Sequence, residues 1–159
     1  MKNILHILFL YILCSVTQLN AEEIPYLLTA SAKGDIETVK AIIQSGGDPN
    51  TEDKDKISAL MYASRKNQVA IVEYLISQGA EINKVENDGW TALMFAAKKN
   101  YTETIKTLLN NNADPKITDP DGWSAYGLAA TSGHYETINL LLKGGIDPNS
   151  RNNSGLTVL

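Results

Sequence analysis

From Ile24 to the last residue, apolar and polar positions recur along the chain with a constant spacing of 33 residues. One apolar segment opens each unit, and the successive segments are Ile24-Pro25-Tyr26-Leu27, Ile57-Ser58-Ala59-Leu60, Trp90-Thr91-Ala92-Leu93, Trp123-Ser124-Ala125-Tyr126 and Leu156-Thr157-Val158-Leu159. The same spacing aligns single alanines and apolar pairs, which are Ala30, Ala63, Ala96 and Ala129, and Ile42-Ile43, Leu75-Ile76, Leu108-Leu109 and Leu141-Leu142. A regular period of this length indicates an array of equal supersecondary units.

Within one unit the local signals predict a helix, a turn, a second helix and a loop. In the second unit Ser58 is placed to cap the first helix, and Asn67 breaks it. The apolar stripe of the second helix follows at Val69, Val72, Leu75 and Ile76. Gly79 ends that helix, because glycine adopts the left-handed conformation without strain. Tight turns are predicted at the Asp-Gly pairs Asp88-Gly89 and Asp121-Gly122.

Residues 1–21 differ from the rest of the chain and are typical of a secretory signal peptide. Lys2 is the only charged residue among them, and a 13-residue apolar stretch runs from Ile4 to Val16. This stretch is too short to cross a hydrocarbon core of about 30 Å as a helix. The small Ala21 precedes Glu22 and favours cleavage there. The sequence thus predicts an exported protein, periplasmic or extracellular, and an uncleaved segment that anchors the domain to a membrane is the alternative.

Composition places the chain among ordinary globular proteins and disfavours several kinds of chemistry. Its 159 residues carry a net charge of −4, which argues against a nucleic-acid-binding protein. The single cysteine, Cys14, falls within the predicted signal peptide. His134 is the only histidine beyond that segment, and a structural role at a turn is favoured for it. We therefore expect a protein that is not an enzyme and needs no cofactor or metal.

Acidic pairs in the loops, such as Asp53 with Asp55 and Asp119 with Asp121, resemble calcium ligands only superficially. They lack the further oxygen ligands and the terminal glutamate of an EF-hand loop. Solvated turns are therefore the favoured interpretation. The segments Asn100-Tyr101-Thr102 and Asn152-Asn153-Ser154 fit a glycosylation acceptor, but Asn100 also stands where other units have a turn glycine.

The segments Leu75-Ile76-Ser77-Gln78-Gly79-Ala80-Glu81-Ile82-Asn83, Asp88-Gly89-Trp90-Thr91-Ala92-Leu93 and Gly145-Ile146-Asp147-Pro148-Asn149 resemble the ankyrin repeat. The resemblance extends over residues 24–159. It implies an all-α solenoid of stacked helix-turn-helix units with β-turn or hairpin fingers. The implied repeat domain, residues 22–159, comprises units at 24–56, 57–89, 90–122 and 123–155 and a partial fifth unit at 156–159. One departure is Gly127, which is expected to weaken the fourth unit because glycine disfavours helix interiors.

The resemblance further implies a non-catalytic module that binds a protein partner through its finger tips and concave face. Cations recur where the first helices end, a region that lines the concave side in ankyrin proteins; they are Lys33, Arg65, Lys66, Lys98 and Lys99. One interpretation is a groove that recognises an acidic segment of the partner. The alternative is local, because cations stabilise helix C-termini and nearby finger carboxylates could neutralise them.

Two tryptophans and two aspartates at the fingers complete the predicted partner-binding set: Trp90, Trp123, Asp88 and Asp121. Tryptophan is enriched among interface residues that dominate affinity. Packing of each ring over its own hairpin is the competing explanation. Two further roles remain open, namely an accessory or regulatory subunit of an envelope enzyme or stress-protection system, and a secreted effector or inhibitor.

Overall fold

The computed structural model describes residues 26–157, so the predicted signal peptide and the end of the partial fifth unit lie outside the described residues. Within that range the chain forms helices in pairs. The first helix of the series, α1, is described over residues 26–33. The others are α2 (Ile36–Gln44), α3 (Ala59–Arg65), α4 (Val69–Ser77), α5 (Ala92–Lys98), α6 (Thr102–Asn110), α7 (Ala125–Thr131) and α8 (Tyr135–Lys143). The predicted all-α architecture is confirmed.

Short side-chain caps start the first helix of each later pair. The Ser58 hydroxyl accepts a hydrogen bond from the Met61 amide at 3.3 Å, and Thr91 accepts one from Met94 at the same distance. The second helices are followed, two residues after their last residue, by a residue with a positive φ in the same repeat position: Gly46, Gly79, Asn112 and Gly145. This conformation turns the chain sharply out of the helix and into the next loop.

A continuous hydrophobic spine joins the units. Like helices lie beside like helices, so α5 packs between α3 and α7 while α6 packs between α4 and α8. The spine is built from the columns Leu27, Leu60, Leu93 and Tyr126; Ala30, Ala63, Ala96 and Ala129; and Ile42, Leu75, Leu108 and Leu141, all of them buried. The small alanines permit close approach of neighbouring first helices. Each unit thereby buries surface that it could not bury alone.

Ser58 caps α3 and Ser64 lies within it. Replacing each of them by alanine should change the free energy of unfolding in opposite directions. Ser58 caps the helix, so Ser58→Ala should lower the free energy of unfolding by about 1 kcal/mol. Ser64 is fully buried and its hydroxyl finds no hydrogen-bond partner among the described residues. Ser64→Ala should raise the free energy of unfolding by about 0.5–1 kcal/mol, because an unsatisfied polar group is removed and Ala97 already fills this position in the third unit.

Urea denaturation of both serine variants measures these opposite shifts. A loss of stability in Ser64→Ala equal to that in Ser58→Ala would contradict the assignment of Ser64 as an unsatisfied group.

Candidate functional site

The loops that connect successive units form fingers, each closed by one acidic or amide side chain. Asp53 Oδ1 accepts hydrogen bonds from the Asp55 and Ile57 amides, both at 2.9 Å. The same double acceptor recurs at the equivalent position of every later finger, namely Glu86, Asp119 and Asn152. Each of these side chains therefore accepts two hydrogen bonds from backbone amides of its own finger. No group of three metal-ligating side chains among residues 26–157 is arranged to hold a metal ion.

Side-chain amides bind the fingers to one another at the 33-residue period. Asn50 Oδ1 accepts a hydrogen bond from the Glu81 amide at 2.7 Å, and Asn83 Oδ1 accepts one from the Asp114 amide at 2.8 Å. An ion pair of 2.8 Å between Lys84 and Glu52 adds to the contact between the first two fingers. The fingers thus form one continuous row beside the helices.

The turns between paired helices are linked in the same way. Asn67 and Asn100 adopt a positive φ of 58° and 59°. Asn100 Oδ1 accepts a hydrogen bond of 2.8 Å from the buried Thr137 hydroxyl of the next unit. His134 Nε2 lies 3.2 Å from the Lys98 carbonyl oxygen, which gives this histidine a role in joining adjacent units.

The five predicted cations lie at the C-terminal ends of first helices. Arg65 and Lys98 are the last residues of α3 and α5, and Lys66 and Lys99 follow them as C-caps. Lys33 lies at the end of α1, and every member except the partly buried Arg65 is exposed. In the part of the chain that the structure describes, no carboxylate comes within 4 Å of any of the five. The finger carboxylates therefore do not neutralise them by direct ion pairs.

Arg65 also belongs to a strip of aromatic side chains that sequence reasoning missed. Its guanidinium carbon lies 4.9 Å from the centre of the Tyr62 ring and 5.8 Å from that of Phe95. The Phe95 and Trp90 ring centres are 5.2 Å apart. We call Tyr62, Arg65, Phe95 and Trp90 the aromatic strip; all four are partly buried. Tyr62 and Phe95 occupy the same repeat position, three residues before Arg65 and Lys98. This spacing is the feature of the sequence from which the strip could have been predicted.

Tyr62 joins the aromatic strip to the first finger. Its hydroxyl donates a hydrogen bond to Asp53 Oδ2 at 2.8 Å. Burial, and after it the bond to the Asp53 carboxylate, raises the pKa of the Tyr62 phenol, which therefore remains a donor at neutral pH. This hydrogen bond joins α3 to the first finger, close to the cations at the end of the same helix.

The two predicted tryptophans both pack against their own units. Trp90 contacts Phe95 as described, and Trp123 covers Gly127, where an added Cβ would come within 2.7 Å of the indole ring. Gly127 therefore has a packing reason that the sequence did not show. Asp88 and Asp121 are exposed at the finger tips. Phe95 contacts both Trp90 and Arg65 and so links this tryptophan to a predicted cation, whereas Trp123 lies in the fourth unit, where Thr131 and Ser132 replace the cations.

None of the described helices has the length and apolar character needed to cross a membrane. No curated protein matches the chain significantly. The family described as ankyrin repeats (3 copies) matches residues 27–119, and the single ankyrin repeat matches residues 121–153. Ankyrin repeats are protein–protein interaction modules and are generally non-catalytic. The matches cover most of the chain and agree with the paired helices and fingers, so this chain belongs to the ankyrin repeat family.

Proposed function

We propose that the groove between the fingers and the ends of α1, α3 and α5 binds an acidic segment of a protein partner. The observation that carries this proposal is the row of five cations at those helix ends, none within 4 Å of a carboxylate of residues 26–157. The chain as a whole is acidic, with a net charge of −4, so this cationic row contrasts with its surroundings. Complementary charge would steer an acidic segment to the groove and favour it over basic competitors.

Binding in this groove would be preorganised. The helix ends are fixed by the packed spine, and the fingers are fixed by the hydrogen bonds at Asn50 and Asn83. A surface that is already ordered loses little conformational entropy when a partner binds. No step of this mechanism requires a cofactor or bond chemistry.

Neutralising the groove cations tests the proposal. Lys66, Lys98 and Lys99 changed together to Gln should weaken partner binding about threefold to a hundredfold at low salt, because each lost charge pair contributes roughly 0.2–1 kcal/mol. The matched control changes Lys40, Lys106 and Lys143 to Gln; these lie on second helices and give the same change in net charge.

The measurement is affinity capture from an extract of the source organism, with captured proteins identified by mass spectrometry and retested at rising salt. Partners lost with the groove variant and retained with the control support the proposal. Partners that bind both variants equally, or whose binding does not weaken as salt is raised, would show that the groove is not the binding site.

We also propose that the protein is exported, which the pattern of residues 1–21 supports. The interaction would then take place in the periplasm or outside the cell, where the chain would act either as an accessory subunit of an envelope enzyme or as a secreted effector or inhibitor. N-terminal sequencing after expression in an exporting host should give Glu22 as the first residue. An intact Met1 on a membrane-bound product would favour the anchored form instead.

A further inference from the structure

A cavity of about 600 Å³ opens at the N-terminal end of the groove, between α1 and the first finger. Its lining includes the buried Leu28 together with Thr29 and Ala32 on α1, and Tyr62 on α3. A volume of this size falls within the range of clefts that take small molecules or bulky side chains. The cavity is an open cleft with room for one bulky side chain of a bound chain.

Small residues of the first unit create this cavity. Thr29 occupies the repeat position that holds Tyr62 in the second unit and Phe95 in the third. Ala32 occupies the position that holds Arg65 and Lys98. The aromatic strip fills the corresponding space farther along the groove, whereas the first unit leaves it open.

At the rim of the cavity the carboxylates have partners, whereas the lysines have no ion pair among the described residues. Two lysines, Lys33 and Lys54, line the cavity, and among residues 26–157 neither lies within 4 Å of a carboxylate. The two carboxylates that share the lining are already engaged. Asp53 binds two backbone amides and the Tyr62 hydroxyl, and Glu52 is paired with Lys84. The unpaired charge at the rim is therefore positive.

We infer that the cavity is an anchor pocket for one bulky apolar side chain of the partner, with acidic residues of the same segment lying along Lys66, Lys98 and Lys99. This inference rests on the proposed function and specifies its partner. The recognised chemistry is an extended protein segment in which a leucine-, phenylalanine- or tryptophan-like residue is flanked by aspartate or glutamate. The apolar residue enters the open end of the groove, and the carboxylates meet the cations beyond it.

Selection from a library of short randomised peptides displayed on phage tests the inference on the whole chain. Enriched peptides should combine a bulky apolar residue with several acidic residues, and their binding should weaken as salt is raised. Two pocket-filling variants, Thr29→Phe and Ala32→Leu, should each weaken an enriched peptide about tenfold or more, because the apolar side chain can no longer be buried. Thr29→Phe introduces a side chain that the third unit carries at the equivalent position, Phe95, so the fold should accept it.

The outcomes separate the two proposals. Acidic peptides without an apolar residue, or binding unchanged in both pocket-filling variants with native circular dichroism, would overturn the anchor pocket and leave the cationic groove standing. Enriched peptides that are not acidic and that ignore the Lys66, Lys98 and Lys99 substitutions would overturn the proposed function itself. Concentration-dependent dimers that the pocket-filling variants dissociate would show instead that a second copy of the chain fills the cavity, which also overturns the inference.

Discussion

Leu108→Ala should lower the free energy of unfolding by about 3–5 kcal/mol, the largest effect expected from any single substitution considered for this chain. Leu108 is fully buried in α6, which packs between α4 and α8. The substitution removes apolar contacts and leaves a cavity at the interface between units. Since domains of this kind are stable by only about 5–15 kcal/mol, the loss should be visible as a large fall in the denaturation midpoint.

Leu156→Ala provides the matched control for this effect. Leu156 is 58% exposed, so its truncation should change the free energy of unfolding by less than about 0.5 kcal/mol. Both variants are compared by urea denaturation followed by circular dichroism. Similar losses for the two leucines would mean that the buried column is not the spine of the stack.

Asn100→Ala should lower the free energy of unfolding by about 2–5 kcal/mol for two separable reasons. Alanine at the φ of 59° found here is strained by about 1–2 kcal/mol. In addition, the Thr137 hydroxyl loses its acceptor while buried, which costs about 1–3 kcal/mol. The free energy of unfolding from urea titration measures the sum.

Two further variants separate these contributions. Asn100→Gly keeps the left-handed conformation and loses only the hydrogen bond. It should therefore lower the free energy of unfolding by about half as much as Asn100→Ala does. In the Thr137→Val variant the hydroxyl is absent. Adding Asn100→Ala to that variant should lower the free energy of unfolding only by the backbone strain of alanine at this position. Equal costs of Asn100→Ala in the presence and absence of the Thr137 hydroxyl would exclude the bond between units as a source of stability.

The sequence predicts the repeated parts of this fold because each of them has a signal that recurs. Ser58 and Thr91 cap helices at equal positions, and the apolar columns that include Leu75 and Leu108 keep the 33-residue period. Once the units stack, the constant period determines which residues of neighbouring units lie beside each other. The helix pairs, the spine and the fingers could therefore be predicted in order, and the cations could be assigned to the ends of first helices.

The aromatic strip and the anchor cavity could not be predicted in the same way, because each depends on contacts between residues that differ from unit to unit. Arg65 lies near Tyr62 because the two are one helical turn apart on α3, but it lies near Phe95 only because α3 and α5 are adjacent at a particular spacing. Helix propensity indicates only that Gly127 weakens α7, whereas in the structure the indole ring of Trp123 occupies the space that a side chain would need. Residues of this kind, which depart from the repeat, are the ones that distinguish the binding surface of this chain.

Amide and indole chemical shifts of the labelled chain, recorded by nuclear magnetic resonance as a selected acidic peptide is added, test the central claim most directly. We predict shifts concentrated at the ends of α1, α3 and α5 and at the Trp90 indole, with small changes along α2, α4 and α6. Shifts concentrated on those second helices would place binding on the opposite side of the solenoid and contradict the assignment of the groove.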